Sequence, residues 1–201
     1  LKHLESRKFK WSIDHLYNFS PLLNQKEKKF NNQSNYLLYF GRLSKEKGIK
    51  TLIKAIKCLD KTIDLLVVGT GELDQELNKY ILENKILNVK LLGFKSGSDL
   101  EKLISEARFV VVPSEWYENN PMTIIESYCF GVPVIGSSVG GIPEIIDEGK
   151  TGFTFKMGDV KDLSAILNKA LVLSEFKHEE MKKNCRLFAE KNFSPENHYG
   201  K

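Results

Sequence analysis

The feature that most constrains this chain is a repeated pairing of a short, wholly apolar run with a segment of helical period. YLLYF (36–40) precedes helically spaced apolar positions over 49–59, and IDLLVV (63–68) precedes those over 73–82. VKLL (89–92) is followed by 100–104, FVVV (109–112) by 122–130, and VPVI (132–135) closes the series. Runs that do not alternate with polar residues belong to strands covered on both faces. Strand, helix and strand at this spacing require crossover connections, and therefore a parallel sheet. The expected fold is α/β, a parallel sheet with helices on both faces. After a short apolar stretch at 152–155, two more helices are predicted over 160–173 and 176–192. The second places Met181, Cys185 and Phe188 on one core-packing stripe.

A length of 201 residues fits one domain of ordinary size. The first 35 residues are polar, Lys-rich and aperiodic and end in FNNQSN, so 1–35 reads as a linker or N-terminal extension and 36–201 as the domain. The chain opens with Leu rather than Met, which reads as a piece of something longer. A hydrophobic share of 41% beside 28% charged residues excludes wholesale disorder. No apolar run approaches the ~18 residues of a membrane span, and the start lacks the apolar core of a signal peptide. The expected location is cytoplasmic, at the inner face of the membrane in the full-length form. The net charge of +4 is spread along the sequence, which argues against nucleic acid as a partner. Cys58, Cys129 and Cys185 are odd in number and widely spaced, as expected of reduced, mostly buried thiols.

Ligands of open parallel sheets sit outside the carboxyl ends of the strands, so four loops matter. GRLSKEKG (41–48) offers Gly41 and Gly48 for close backbone approach and Arg42 and Lys47 as cations for a diphosphate. The same residues also read as a turn with two solvated charges. GTGEL (69–73) begins like a dinucleotide fingerprint, but Asp74 replaces the third glycine and carries the wrong charge for a pyrophosphate. In PSEWYENNPMTIIESYCFG (113–131), Asn120 and Pro121 read as the cap and first position of a helix whose N–H groups attract anions. Met122, Ile125 and Cys129 take the spacing of a buried face, with Glu126 among them. A carboxylate there needs a partner, either Arg42 or Lys47 as a structural pair, or the diol of a ligand. Glu118, eight positions earlier, lies in the loop and can face the same cleft.

GSSVGGIPE (136–144) suggests another helix start at Pro143, with Gly140 and Gly141 open to a phosphate. Its first five residues also match Gly-x-Ser-x-Gly, with Asp147, Asp159 and His178 downstream, so a serine hydrolase using Ser138 is the rival from another reaction class. Gly141 and Pro143 delay the helix that should follow such a serine at once, and no HGGG-type segment supplies an oxyanion hole. No His-Glu-x-x-His, Cys-x-x-Cys or Asp-x-Asp occurs, so a metal-free site without a cofactor is expected.

In this order, GRLSKEKG, VVGTGEL, LLGF, VVPSEWYENNPMTIIESYCFGVPVIGSSVGGIPEII and GKTGFTF resemble the C-terminal half of a retaining glycosyltransferase of family 4, the glycosyl transferases group 1, with the GT-B fold. The match runs from about Tyr36 to the end and includes the Glu-x7-Glu signature as Glu118 and Glu126. The resemblance implies a Rossmann-like domain that binds a nucleotide-diphosphate sugar without metal. Arg42, Lys47 and Glu118 would be its catalytic residues. Arg42 and Lys47, with Gly41 beside them, would hold the diphosphate and steady the leaving group; Glu126 would take the ribose hydroxyls and Glu118 the transferred sugar. The backbone of Asn119, Asn120, Pro121 and Met122 would face sugar and phosphate, and the nucleobase would lie by Gly93 and Phe94. The implied reaction moves a hexose onto a glycan or lipid-linked acceptor, positioned by a separate N-terminal domain that this chain has no room for. A lone donor half should bind donor but hardly turn over. A stand-alone donor-binding subunit and a GT-B nucleotide-sugar epimerase are the alternatives that share this sheet. ENNP at 118–121 replaces a glycine-rich version common in that family.

Overall fold

In the computed structural model, which describes residues 35–59, 63–119 and 121–193, each apolar run supplies a strand of one parallel sheet. The chain order is β1 (Tyr36–Phe40), a 3-10 turn (Lys45–Lys47), α1 (Ile49–Lys57), β2 (Asp64–Val68), α2 (Asp74–Glu83), β3 (Val89–Leu91), α3 (Gly97–Glu106) and β4 (Phe109–Val112). Then come α4 (Met122–Cys129), β5 (Val134–Ser137), α5 (Ile142–Ile145), β6 (Gly152–Phe155), α6 (Val160–Leu171) and α7 (Glu175–Phe193). The expected linker lies outside the described residues except for Asn35. Among the described residues no helix is long and apolar enough to cross a membrane.

The six strands lie in the order β3-β2-β1-β4-β5-β6, every pairing parallel. Side chains alternate across the pleat, so each strand feeds two cores. Leu37 and Tyr39 pack with Leu52 and Ile53 of α1 and with Leu163 and Leu167 of α6. Leu38 and Phe40 pack on the other face with Ile124 and Tyr128 of α4 and Ile142 of α5. Helix α7 joins the layers, for Met181 belongs to the first core while Cys185, Ala189 and Phe193 belong to the second. Full burial of each such side chain stabilises the fold by roughly 1.5–3 kcal/mol, so the two-sided burial decides the architecture.

Two local readings shift. β5 starts two residues later than VPVI suggests. Pro133 has no N–H to give the ladder, although its carbonyl still accepts from Val110 N at 3.1 Å. On α4 the buried face is Ile124, Ile125 and Tyr128, not the expected Met122, Ile125 and Cys129. Met122 is 40% exposed and Cys129 is half-buried, because the helix leans on α7 through Tyr128 and turns its first turn toward the carboxyl edge of the sheet. The Tyr128 hydroxyl donates to Thr151 Oγ1 at 2.8 Å, and its ring meets Phe188 edge-on at 5.6 Å.

The three cysteines are free, but only Cys185 is fully buried; Cys58 is exposed. Burial pushes the Cys185 thiol far above its ordinary range, and its Sγ donates to the Thr151 carbonyl at 3.4 Å. In the native protein at neutral pH, a thiol-specific disulfide reagent is expected to modify Cys58 first. Cys185 should react only as the protein unfolds in urea; its prompt modification in buffer would contradict this packing.

Candidate functional site

The sheet order reverses between β1 and β4, so the loops that follow these neighbouring strands leave in opposite directions. Between them lies a cleft of about 290 Å³. Tyr39, Gly41, Arg42 and Lys47 line it from the β1 side, and Ser114, Glu118, Pro121, Met122 and Thr123 from the β4 side. Two cations thus face the N-terminus of α4, where the N–H groups of the first turn lack intrahelical partners.

Backbone contacts fix these loops. Gly48 has φ +67°, and a Cβ there would lie 1.8 Å from the Pro113 carbonyl oxygen. It therefore seats one loop beneath the other rather than approaching a ligand. Glu115 N donates to Glu46 O at 2.8 Å, and Thr51 Oγ1 donates to Glu115 Oε1 at 2.5 Å. From the other side, Gly141 N donates to Glu118 O at 2.6 Å, and a Cβ on Gly141 would meet the Asn119 carbonyl oxygen at 2.0 Å. Gly140 and Gly141 hold the Glu118 loop and are not open to a phosphate. In GTGEL, Asp74 accepts from Gly71 N at 2.9 Å, so the acid closes its own turn.

The side chains carry the chemistry. Lys47 Nζ donates to Glu118 Oε1, and Ser114 Oγ donates to the same oxygen at 3.0 Å. Ser137 Oγ in turn donates to Ser114 O at 2.6 Å. Tyr39 Oη donates to the Arg42 carbonyl at 2.6 Å and so sets the path of the loop that carries Arg42. Burial, helped by the Glu46 and Glu118 charges, pushes the Tyr39 hydroxyl far above its ordinary range. The Ser44 hydroxyl, donating to Glu46 at 2.6 Å, is the main cause that holds the Glu46 carboxyl below its usual value. Tyr39, Ser114 and Ser137 escaped the sequence reading; their one signal is position, at the carboxyl ends of strands.

Glu126 follows Met122 by four residues, so it lies on the same side of α4, one turn behind the cleft lining. It pairs with neither Arg42 nor Lys47; among the described residues its carboxylate has no hydrogen-bond or ion-pair partner. Burial raises its pKa. The cap of α4 is Pro121 rather than Asn120, which lies outside the described residues. Asn119 is exposed in the loop. Gly93 and Phe94 follow β3 at the same sheet edge but do not line the cleft; Gly93 O accepts from Gly69 N at 2.8 Å, and Phe94 is exposed.

The hydrolase constellation does not assemble. Ser138 follows β5 at the carboxyl edge, whereas His178 bonds to the Arg108 carbonyl, just ahead of β4, at 2.8 Å. A strand length, roughly 10 Å, separates the two edges. Asp159 is spent capping α6. Among the described residues, Glu175, His178 and Glu179 bring three donor atoms within 4.8 Å of one another. Arg108 and Lys182 already sit beside the two carboxylates, far from the cleft.

The family model "Glycosyl transferases group 1" matches residues 23–188. An uncharacterized glycosyltransferase of Methanocaldococcus jannaschii is 31% identical over 149 residues, 74% of this chain and 40% of that protein. The amylovoran biosynthesis glycosyltransferase AmsK of Erwinia amylovora is 30% identical over 65% of this chain and 34% of its own length. The chain thus spans less than half the length of these curated relatives. Among solved structures, Anabaena HepE in complex with UDP-glucose superimposes with a TM-score of 0.73 at 28% identity, covering 82% of this chain and 45% of that one. TarM of S. aureus, at 18% identity, shares the fold with a TM-score of 0.80 over 97% of this chain and 40% of its own.

Two outcomes are expected. Gly48→Ala should lower the unfolding free energy by roughly 2–4 kcal/mol in urea titration, since strain and overlap act together. Glu126 is held above its unfolded pKa, so its ionisation opposes folding as pH rises through that folded value. Glu126→Gln should therefore raise the melting temperature at pH 7, with the gain vanishing in the acid range where Glu126 is protonated in both states; a gain that persists there would point to another cause.

Proposed function

Because this chain belongs to the glycosyl transferases group 1 family, we propose that its cleft binds the diphosphate of a nucleotide-sugar donor, as the donor-binding half of a GT-B enzyme. The observation that carries this reading is the convergence of Arg42, Lys47 and the α4 N-terminus on one cleft at the point where strand order reverses. Open α/β sheets bind ligands at such points.

The chemistry follows from charge. Departure of the sugar leaves negative charge on the diphosphate. Arg42 and the N–H groups of Met122 and Thr123 line the cleft ready to meet that charge, Lys47 joins them on leaving Glu118, and they do so without a divalent ion. Glu126, without a partner among the described residues and on a packed helix, receives the two ribose hydroxyls, which supply the partners that its burial demands. Glu118 faces the transferred sugar from the loop. Gly93, half-buried, and Phe94, exposed, flank the base from the same edge. In the whole protein a hexose would pass with retention to a glycan or lipid-linked acceptor held by a second domain. The transfer step needs that domain to position the acceptor.

Calorimetric titration with UDP, GDP, ADP and their hexose conjugates, without metal and again with magnesium, tests the reading. UDP and UDP-glucose come first because HepE was solved with the latter. One nucleoside diphosphate is expected to bind equally well with and without magnesium. Glu126→Ala should weaken it about tenfold or more, and Arg42→Ala should do the same. Failure of all three to bind, to this chain and to the whole protein alike, would overturn the proposal.

A further inference from the structure

The Lys47–Glu118 ion pair has a consequence for which ligand the site prefers. Among the described residues, Lys47 is one of the two cations that line the cleft, yet the Glu118 carboxylate already sits on it. The pair is half-buried, with side-chain exposures of 35% and 21%, so water screens it only in part. An incoming diphosphate meets a like charge on its own cation.

Glu118 is arranged to give way without travelling far. Its main chain is pinned through its carbonyl by Gly141 N. Its Oε1 has a second donor in the Ser114 hydroxyl, and Ser114 is itself buried and fixed by Ser137. Among the described residues its Oε2 accepts no hydrogen bond. If a phosphate takes Lys47, Ser114 still holds the carboxylate, and Oε2 with the vacated site on Oε1 is left to accept from a ligand in the cleft that Glu118 lines. A sugar attached to the diphosphate offers hydroxyl donors to them. A free nucleoside diphosphate offers none and leaves a carboxylate without a cation, held by Ser114 alone, beside its own charge.

Resting on the donor reading above, we propose that Glu118 is a specificity-determining residue that makes the site discriminate against the free nucleoside diphosphate in favour of its sugar conjugate. Lys47 passes from Glu118 to the diphosphate when the sugar can take Lys47's place at the carboxylate. When the sugar has been transferred, Glu118 reclaims Lys47 and weakens the hold on the spent nucleotide. This differs from a passive sugar contact, in which removal of Glu118 would leave nucleotide affinity unchanged.

The test is calorimetry of the wild-type chain and Glu118→Gln with UDP, GDP and ADP and with the glucose conjugate of each. For the nucleotide that binds, Glu118→Gln should bind the free diphosphate roughly three- to tenfold more tightly than wild type. It should bind the conjugate no more tightly, so that the preference for the conjugate falls. Should Glu118→Gln fail to fold, as judged by far-ultraviolet circular dichroism, Glu118→Ala carries the same expectation. Unchanged or weaker binding of the free diphosphate by the folded variant, beside a normal wild-type titration, overturns this inference alone. No binding of any nucleotide by wild type and variant overturns it together with the donor reading.

Discussion

Everything at the carboxyl edge of the sheet depends on one reversal of the chain. From β1 the polypeptide moves outward to β2 and β3, then returns across β1 to lay down β4, β5 and β6 on the other side. The loop after β1 leads to α1 in one layer, and the loop after β4 leads to α4 in the opposite layer. Two loops that start from adjacent strands must therefore part, and a crevice opens where they do. Lys47 and Glu118, 71 positions apart, meet across it.

Two carboxylates eight residues apart meet the burden of burial differently. Glu118 is satisfied within the protein, by Lys47 and Ser114. Glu126 has no such partner among the described residues, and burial raises its pKa. A helix that keeps such a group on a packed face gives up stability that a neutral side chain would recover, a pattern found where a site is built for a ligand rather than for the fold. The helix tolerates this because its far end is firmly seated, through Tyr128 on Thr151 and Phe188.

Most of the fold was legible because it rests on one-dimensional signals. Unbroken apolar runs such as FVVV announce strands buried on both faces, and five such runs separated by helical periods leave few topologies. The boundary at Val134 is hidden in the sequence because VPVI is uniformly apolar while Pro133 lacks the donor a ladder needs. The face of α4 was misjudged because spacing alone cannot say which of two overlapping stripes, Met122-Ile125-Cys129 or Ile124-Ile125-Tyr128, finds the core; α7, some fifty residues later, decides that. At the site, Arg42, Lys47, Glu118 and the start of α4 were readable from their place after strands. The Lys47–Glu118 pair and the Ser137–Ser114 link were not, since each joins residues distant in sequence. The glycines misled in a consistent way: Gly48, Gly140 and Gly141 were expected to admit a ligand, and they admit other loops.

The close packing around these glycines limits how a molecule like this can diversify. The segment carrying Glu118 is clasped between two neighbours, with Pro113 against Gly48 on one side and Asn119 against Gly141 on the other, at distances that leave no room for a methyl group. Lengthening or shortening it would break both clasps together. A new preference at the proposed site is then reached by exchanging the side chains of Glu118, Asn119, Met122 or Thr123 while the clasped backbone around Glu118 and Asn119 stays put, so that stretch behaves as a fixed socket with replaceable teeth rather than as a pliable loop.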